Sequence, residues 1–379
     1  MKPLSYGRQI IDAKDVAAVV KTLKSPFLTQ GPAVVRFEED LAKYCGARFA
    51  VACANGTAAL HLACLAAGLK EGDEAIVPAI TFAATANAAR YCGAEPVIVD
   101  VRADTLTIDP DAVERALSPR TRAILPVHFA GLPADLERIA LLAKTRGLVV
   151  IEDAAHALGA TYMGKRIGAC DRSDMAILSF HPVKHATTGE GGAVLTNDPK
   201  LAARLRLFRS HGITRDAALL EDKDQGGWYY EMQELGFNYR IPDILCSLGS
   251  SQLKKLPAFL KRRRAVAKAY RAAFSKNPDI VLQDQPEDRE NAWHLFTIQV
   301  PAEKRRAVYD YLHKKGVLAN AHYIPVHKLP YYQRRGWKDK TLPNAEAYYA
   351  GALSLPMHAA LTDADVRRVV KTVEEALAR

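Results

Sequence analysis

Short apolar runs recur along the first two thirds of the chain, separated by stretches with helical spacing. Residues 49–52, 74–77, 96–101, 122–127, 148–152 and 175–180 are runs of strand length. They do not alternate apolar with polar, as expected of strands buried on both faces of a parallel sheet. Helical patterns such as residues 134–146, closed by Gly147, lie between several of them. Alternating strands and helices predict an α/β fold, a mostly parallel central sheet with helices on both faces. Residues 193–196 follow Phe180 too closely for a helical crossover, which predicts one antiparallel strand in that sheet.

Near residue 245 the pattern changes. A long helical stretch, residues 247–274, carries little strand character. A strand over 293–300, a helix over 303–315 and a return segment over 320–324 follow. The last helix shows Thr362 as N-cap with Asp365 three residues on, and Val366, Val369, Val370, Val373 and Leu377 form one stripe. The expected organisation is a large domain over 1–245 and a smaller α+β domain over 246–379.

Composition narrows the function classes. Of 379 residues, 49% are hydrophobic and 25% charged, which builds a globular core and argues against disorder. No run of apolar residues is long enough to cross a membrane, and residues 1–9 lack an apolar signal core. The six cysteines (45, 53, 64, 92, 170 and 246) form no C-x-x-C pair, so no metal site or redox motif is expected. They read as buried thiols of a cytoplasmic protein. The net charge of +10 suits either nucleic acid or small phosphorylated ligands. The densest basic run, Lys261-Arg262-Arg263-Arg264, falls in a helical pattern and reads as a solvated face. No nucleic-acid-binding signature accompanies it.

Three segments carry candidate chemistry. Asn55-Gly56-Thr57-Ala58-Ala59-Leu60 follows a strand and opens an apolar helix. Its unpaired N–H groups suit a phosphate, or the segment is a plain N-cap with a tight turn. Asp153, in Ile151-Glu152-Asp153-Ala154-Ala155-His156, falls at the carboxyl end of a strand, where open α/β sheets bind ligands. It pairs with a cationic ligand there or caps a helix. Ser179 to Gly192 forms a loop at the same sheet edge, in which Lys184 lies between His181 and His185 among three glycines and a proline. In that order the three supply a phosphate cradle, a carboxylate for a pyridinium nitrogen and a Schiff-base lysine, the requirements of pyridoxal 5′-phosphate.

With residues 6–9, 27–32, 228–240, 322–327 and 348–356, these motifs resemble the DegT/DnrJ/EryC1/StrS family of sugar-nucleotide aminotransferases, nearly end to end. Within the family the likeness is greater to the 4-aminotransferases of pseudaminic acid synthesis. The resemblance implies a fold-type I transferase, a homodimer with shared active sites, and pyridoxal phosphate cycling through pyridoxamine phosphate. It implies L-glutamate as donor and a UDP-linked 4-keto-6-deoxy-N-acetylhexosamine as acceptor. Gly56, Thr57 and Ser179 would hold the phosphate. Phe82 would stack on the ring where many relatives carry Trp; taken alone it reads as a core phenylalanine. Asp153 would face the ring nitrogen, His156 the ring hydroxyl, and Lys184 would bind the cofactor covalently and move the proton. Asn238, otherwise a turn residue, would reach the partner subunit's phosphate. Tyr6, Phe27, Thr29, Gly31, His322 and Tyr323 match segments that cover the nucleotide sugar, and His181 would touch cofactor or substrate or orient its loop. The alternatives are a sibling enzyme for another UDP- or GDP-4-keto sugar and a non-catalytic cofactor-binding regulator. Family members that dehydrate at C3 carry His where this chain has Lys184.

Overall fold

The computed structural model describes residues 3–379, so the first two residues of the 1–9 stretch lie outside it. Seven strands form the central sheet: β1 (Phe49–Cys53), β2 (Glu74–Pro78), β3 (Glu95–Val99), β4 (Thr121–Ile124), β5 (Val149–Asp153), β6 (Met175–Ser179) and β7 (Gly192–Thr196). Their spatial order is β1-β7-β6-β5-β4-β2-β3. β7 pairs antiparallel with both neighbours, and the other pairings are parallel. The antiparallel strand expected from spacing is therefore present. Each strand lies within a few residues of the run that predicted it.

Strand periodicity sends alternate side chains to opposite faces. Val51, Cys53, Ile177 and Val194 enter one apolar layer, shared with helix α1 (Gly56–Ala66). Ala50, Ala52, Leu178 and Leu195 enter the other. Both faces are buried, which is why the runs show no alternation. The second layer also takes Cys246, Leu253, Leu256 and Leu260 from the first half of a long helix, Asp243–Phe274. The second half of that helix places Val266, Ala267, Tyr270 and Phe274 in a separate core with Phe296, Ile298, Leu353 and Val369. One helix thus belongs to two cores. Leu4 and Ser5 pair with Val317 and Leu318, tying the start of the chain to the C-terminal region.

Two expectations change. The basic run at 261–264 is not wholly a solvated face. Arg263 is buried on the Leu256–Leu260–Val266 side and donates to the carbonyls of Trp293 (3.0 Å), His294 (3.2 Å) and Met357 (2.9 Å). Helical spacing allows this, because 3.6 residues per turn places 263 beside 256, 260 and 267. The return segment 320–324 pairs as a strand only where Asn320 bridges to Ser354, and residues 320–323 border the cleft described below. The expected capping box is present: Thr362 accepts from Asp365 N–H, and Asp365 accepts from Thr362 N–H.

Candidate active site

A cleft of about 810 Å³ opens at the carboxyl edge of the sheet. The ends of β1, β5 and β6 and the loop after β2 deliver its polar groups, because parallel strands bring their C-termini to one side. Gly56, Thr57, Phe82, Asp153, His156, Ser179, His181, Lys184, Tyr6, His322 and Tyr323 all line it.

At one end, helix α1 begins. Asn55 accepts from Ala58 N–H at 2.8 Å, and the Ala59 N–H binds the Asn55 carbonyl. The Gly56 and Thr57 N–H groups, which no helix can pair internally, remain at the cleft. A Cβ on Gly56 would lie 2.9 Å from Ser179 Cβ and 3.1 Å from its Oγ. Glycine there lets the serine hydroxyl join the helix N-terminus. Two N–H groups, a serine and a threonine form a concave donor set suited to a phosphate.

Asp153 ends β5 and is buried. Its Oδ2 accepts from Thr85 Oγ1 at 2.7 Å and its Oδ1 from Ala155 N–H at 3.2 Å. The residues after it form turns, not a helix, so Asp153 is not a helix cap. Lys184 sits on the loop between β6 and β7, an antiparallel hairpin whose strands pair from Gly192–Ser179 to Thr196–Met175. The loop is pinned by Thr188 N–H and Thr187 Oγ1 to the Phe180 carbonyl, and by His185 Nε2–H to the Ala292 carbonyl. The Lys184 amine has no hydrogen-bond partner among the described residues. Burial pushes it down to about 8, and the Asp153 charge partly opposes that. A lysine so placed is a nucleophile near neutral pH.

The remaining walls are aromatic and imidazole. Phe82 precedes helix α2 (Ala83–Tyr91) and is 59% exposed, its ring 6.0 Å from that of Tyr323. It is not a core phenylalanine; its ring borders the cleft. His156 is buried, with Nε2 3.2 Å from the Tyr323 hydroxyl, and its ring lies 4.2 Å from that of His294. Burial, and then the Lys184 charge, hold His156 well below the usual imidazole range. Its Nδ1 is buried without a partner. His322 binds Ser354 Oγ through Nδ1 at 2.8 Å and is pushed down to about 4 by burial and Lys184. Both imidazoles are therefore neutral at pH 7.

Pyridoxal phosphate fits this set of residues. The cradle, an open carboxylate, an unpartnered amine and an aromatic face converge, and a buried imidazole nitrogen lacks a partner. Four of the residues expected in the site lie elsewhere. Phe27 and Thr29 are exposed, Gly31 donates its N–H to Asp243 Oδ2 at 2.8 Å, and Asn238 is exposed. None of these four borders the cleft of its own chain. Asn238 Oδ1 accepts from Arg240 Nε at 3.0 Å, and Arg240 Nη1 donates to Gln30 at 3.2 Å, so the two segments meet on the surface. Residues not singled out from sequence also enter: Tyr239, Glu190 and Asn320 line the cleft, and Thr85 and His294 lie behind it. A hydroxyl in an alanine-rich helix and a histidine before a strand carry no signal of their own.

Known proteins resemble this chain over nearly its whole length. The spore coat polysaccharide biosynthesis protein SpsC of Bacillus subtilis is 38% identical over 378 residues, covering 98% of this chain and 96% of SpsC. The structure superposes on Helicobacter pylori PseC, an aminotransferase involved in pseudaminic acid biosynthesis, with a TM-score of 0.92 and 32% identity over 100% of both chains. It superposes equally, at 0.92 and 30% identity over 99% of both chains, on the sugar aminotransferase Spr1654 of Streptococcus pneumoniae in its PLP form. The profile of the DegT/DnrJ/EryC1/StrS aminotransferase family matches residues 9–374, and the chain belongs to that family.

Proposed function

We propose that this sugar aminotransferase moves the amino group of L-glutamate to C4 of UDP-2-acetamido-2,6-dideoxy-β-L-arabino-hexos-4-ulose, a step of pseudaminic acid biosynthesis. The observation that carries the transamination is the convergence of Lys184, Asp153 and the Gly56–Thr57–Ser179 cradle in one cleft. At about 810 Å³ the cleft has room for the cofactor and a bulky second ligand. Full-length likeness to PseC supports the choice of sugar.

Pyridoxal phosphate, when bound, supplies the electron sink that lets a carbon next to nitrogen lose its proton. Gly56, Thr57 and Ser179 would hold its phosphate, Phe82 would support the ring, and Asp153 would pair with the ring nitrogen and favour its protonated form. His156 offers a nitrogen to the ring hydroxyl. Lys184 anchors the cofactor covalently. Its free amine would serve as the acid–base group that takes the proton from the donor's α-carbon and returns one to the sugar carbon that gains the amine. Tyr6, Tyr323 and His322 form the apolar and polar wall on which a sugar packs. His181, exposed at the rim, meets the incoming substrate. The large domain over 1–245 supplies most of the cleft, and the smaller one over 246–379 adds residues 320–323 to its wall.

The active unit is a homodimer. Phe27, Thr29, Gly31 and Asn238 lie off their own cleft, their two segments also carry exposed Leu28, Trp228 and Leu235, and apolar exposure of this kind marks an interface. They complete the partner's site. Six cysteines without a disulfide support a cytoplasmic setting.

A second reading has support of its own. The 38% identical SpsC is named for spore coat polysaccharide, not pseudaminic acid, which supports a sibling enzyme acting on another nucleotide sugar. Competition between the L-arabino and D-xylo 4-keto epimers and GDP-linked sugars, with glutamate as donor and NMR of the products, decides. Preference for the UDP-linked L-arabino epimer is expected. Preference for either competitor assigns the chain to the sibling group.

A further inference from the structure

The Asp153 carboxylate does not stand alone at the end of β5. Thr85 Oγ1 lies 2.7 Å from Asp153 Oδ2, and Thr81 Oγ1 lies 2.7 Å from Thr85 Oγ1. Both threonines are buried, at 0% and 2% exposure; Thr81 borders the cleft and Thr85 lies behind it. The direction of the chain is fixed. A carboxylate only accepts, so the single Thr85 proton points to Asp153. Thr81 must then donate to Thr85. Two donors in series strengthen the final bond to the carboxylate. The other oxygen, Oδ1, is held by Ala155 N–H at 3.2 Å. Both oxygens are thereby tied from behind, which sets the plane of the carboxylate.

The position of Thr85 adds a coupling. Phe82 is the N-cap of helix α2, and Thr85, three residues later, donates its N–H to the Phe82 carbonyl at 3.2 Å. One helical turn therefore carries both the exposed aromatic ring and the hydroxyl that holds Asp153. The height of the aromatic platform and the aim of the carboxylate are set by the same turn.

We propose that Thr85, backed by Thr81, is the positioning residue that aims the Asp153 carboxylate at the cofactor's ring nitrogen and registers it with the Phe82 platform. The inference rests on the reading of Asp153 as the partner of that nitrogen. Thr85 itself touches neither cofactor nor substrate.

The test compares Thr85→Val, which keeps the shape and removes the donor, with Thr85→Ser, which keeps the donor. Both are studied as holoenzymes beside Asp153→Asn. Loss of one hydrogen bond to a charged group should lower kcat about 10–100-fold. KM for glutamate should change little. The absorption band of the bound cofactor should shift in the direction seen for Asp153→Asn, by a smaller amount, and Thr85→Ser should restore both rate and band. Thr81→Val should move both readouts the same way, less far. If Thr85→Val yields no folded protein, Thr81→Val decides, and a wild-type band and rate there overturn the inference. Wild-type behaviour of Thr85→Val beside an impaired Asp153→Asn overturns the inference and leaves the reading of Asp153 intact. Wild-type behaviour of Asp153→Asn overturns both.

Discussion

The protonation of Lys184 sets when the enzyme can take up its cofactor. Burial lowers the amine from 10.5 to about 8, with Asp153 pulling the other way. Only the neutral amine attacks the cofactor's aldehyde. At pH 7 a lysine titrating near 8 is neutral in roughly one molecule in ten, against about one in 3,000 at the ordinary value, a gain of about 300-fold. Capture of pyridoxal phosphate by apoenzyme, followed by stopped-flow absorbance, should therefore rise about tenfold per pH unit and level off near pH 8. Asp153→Asn removes the charge that raises the amine, so its plateau should begin at lower pH. Trapping with borohydride and peptide mapping confirm that Lys184 is the residue modified. The same shift has a stability consequence with a definite sign. Between about 8 and 10.5 the folded chain has released a proton that the unfolded chain still holds, so apoenzyme stability should rise with pH across that window. The cost of the buried charge is fully present below about 8, and Lys184→Met apoenzyme should lack this rise. A capture profile still climbing at pH 10, or a plateau moved upward by Asp153→Asn, would refute the reasoning.

Lys184→Ala should lose the visible band in absorbance spectra and at least the roughly 10²–10⁴-fold that acid–base help contributes to turnover. Gly56→Ala should fold but bind cofactor about 5–150-fold more weakly, since its Cβ would press on Ser179 at 2.9 Å and overpacking costs about 1–3 kcal/mol; equilibrium dialysis measures this, and unchanged affinity would mean the phosphate binds elsewhere. Mixing Lys184→Ala with Asn238→Asp subunits should restore part of the activity, because one of the two sites in a mixed dimer carries neither lesion. Verified heterodimers without activity would mean that each chain builds its own site.

The sequence shows what lies along the strands and hides what lies between them. β1, β5 and β6 are legible as apolar runs, and their ends therefore locate Gly56, Asp153 and Ser179 on one edge. The hairpin position of Lys184 follows from the short spacing to residue 193. Other facts depend on packing across distant segments. Phe82 reads as core until the fold shows its ring bordering the cleft. Arg263 reads as surface until the carbonyls of 293, 294 and 357 converge on it. Thr85 is a single hydroxyl in a run of alanines, and only the packing of α2 on the sheet brings it to Asp153. Asn238 and residues 27–31 are recognisable as motifs, yet one chain alone leaves them off its cleft.

The helix Asp243–Phe274 governs how the chain tolerates being cut. Its first half fills the layer under the sheet and its second half the core around Phe296 and Val369. Over 32 residues it forms a rod of about 48 Å common to both. A break at Leu256 or Leu260 separates apolar side chains that fill the layer under the sheet from the rest of that layer, so the N-terminal fragment lacks a complete interior. Limited protease should spare the rod and nick the mostly exposed segment 215–224 instead, ahead of the interface residues Trp228 and Leu235. Split-protein reporters or permuted termini placed in that exposed segment should assemble, and the same insertions at Leu256 or Leu260 should give insoluble halves.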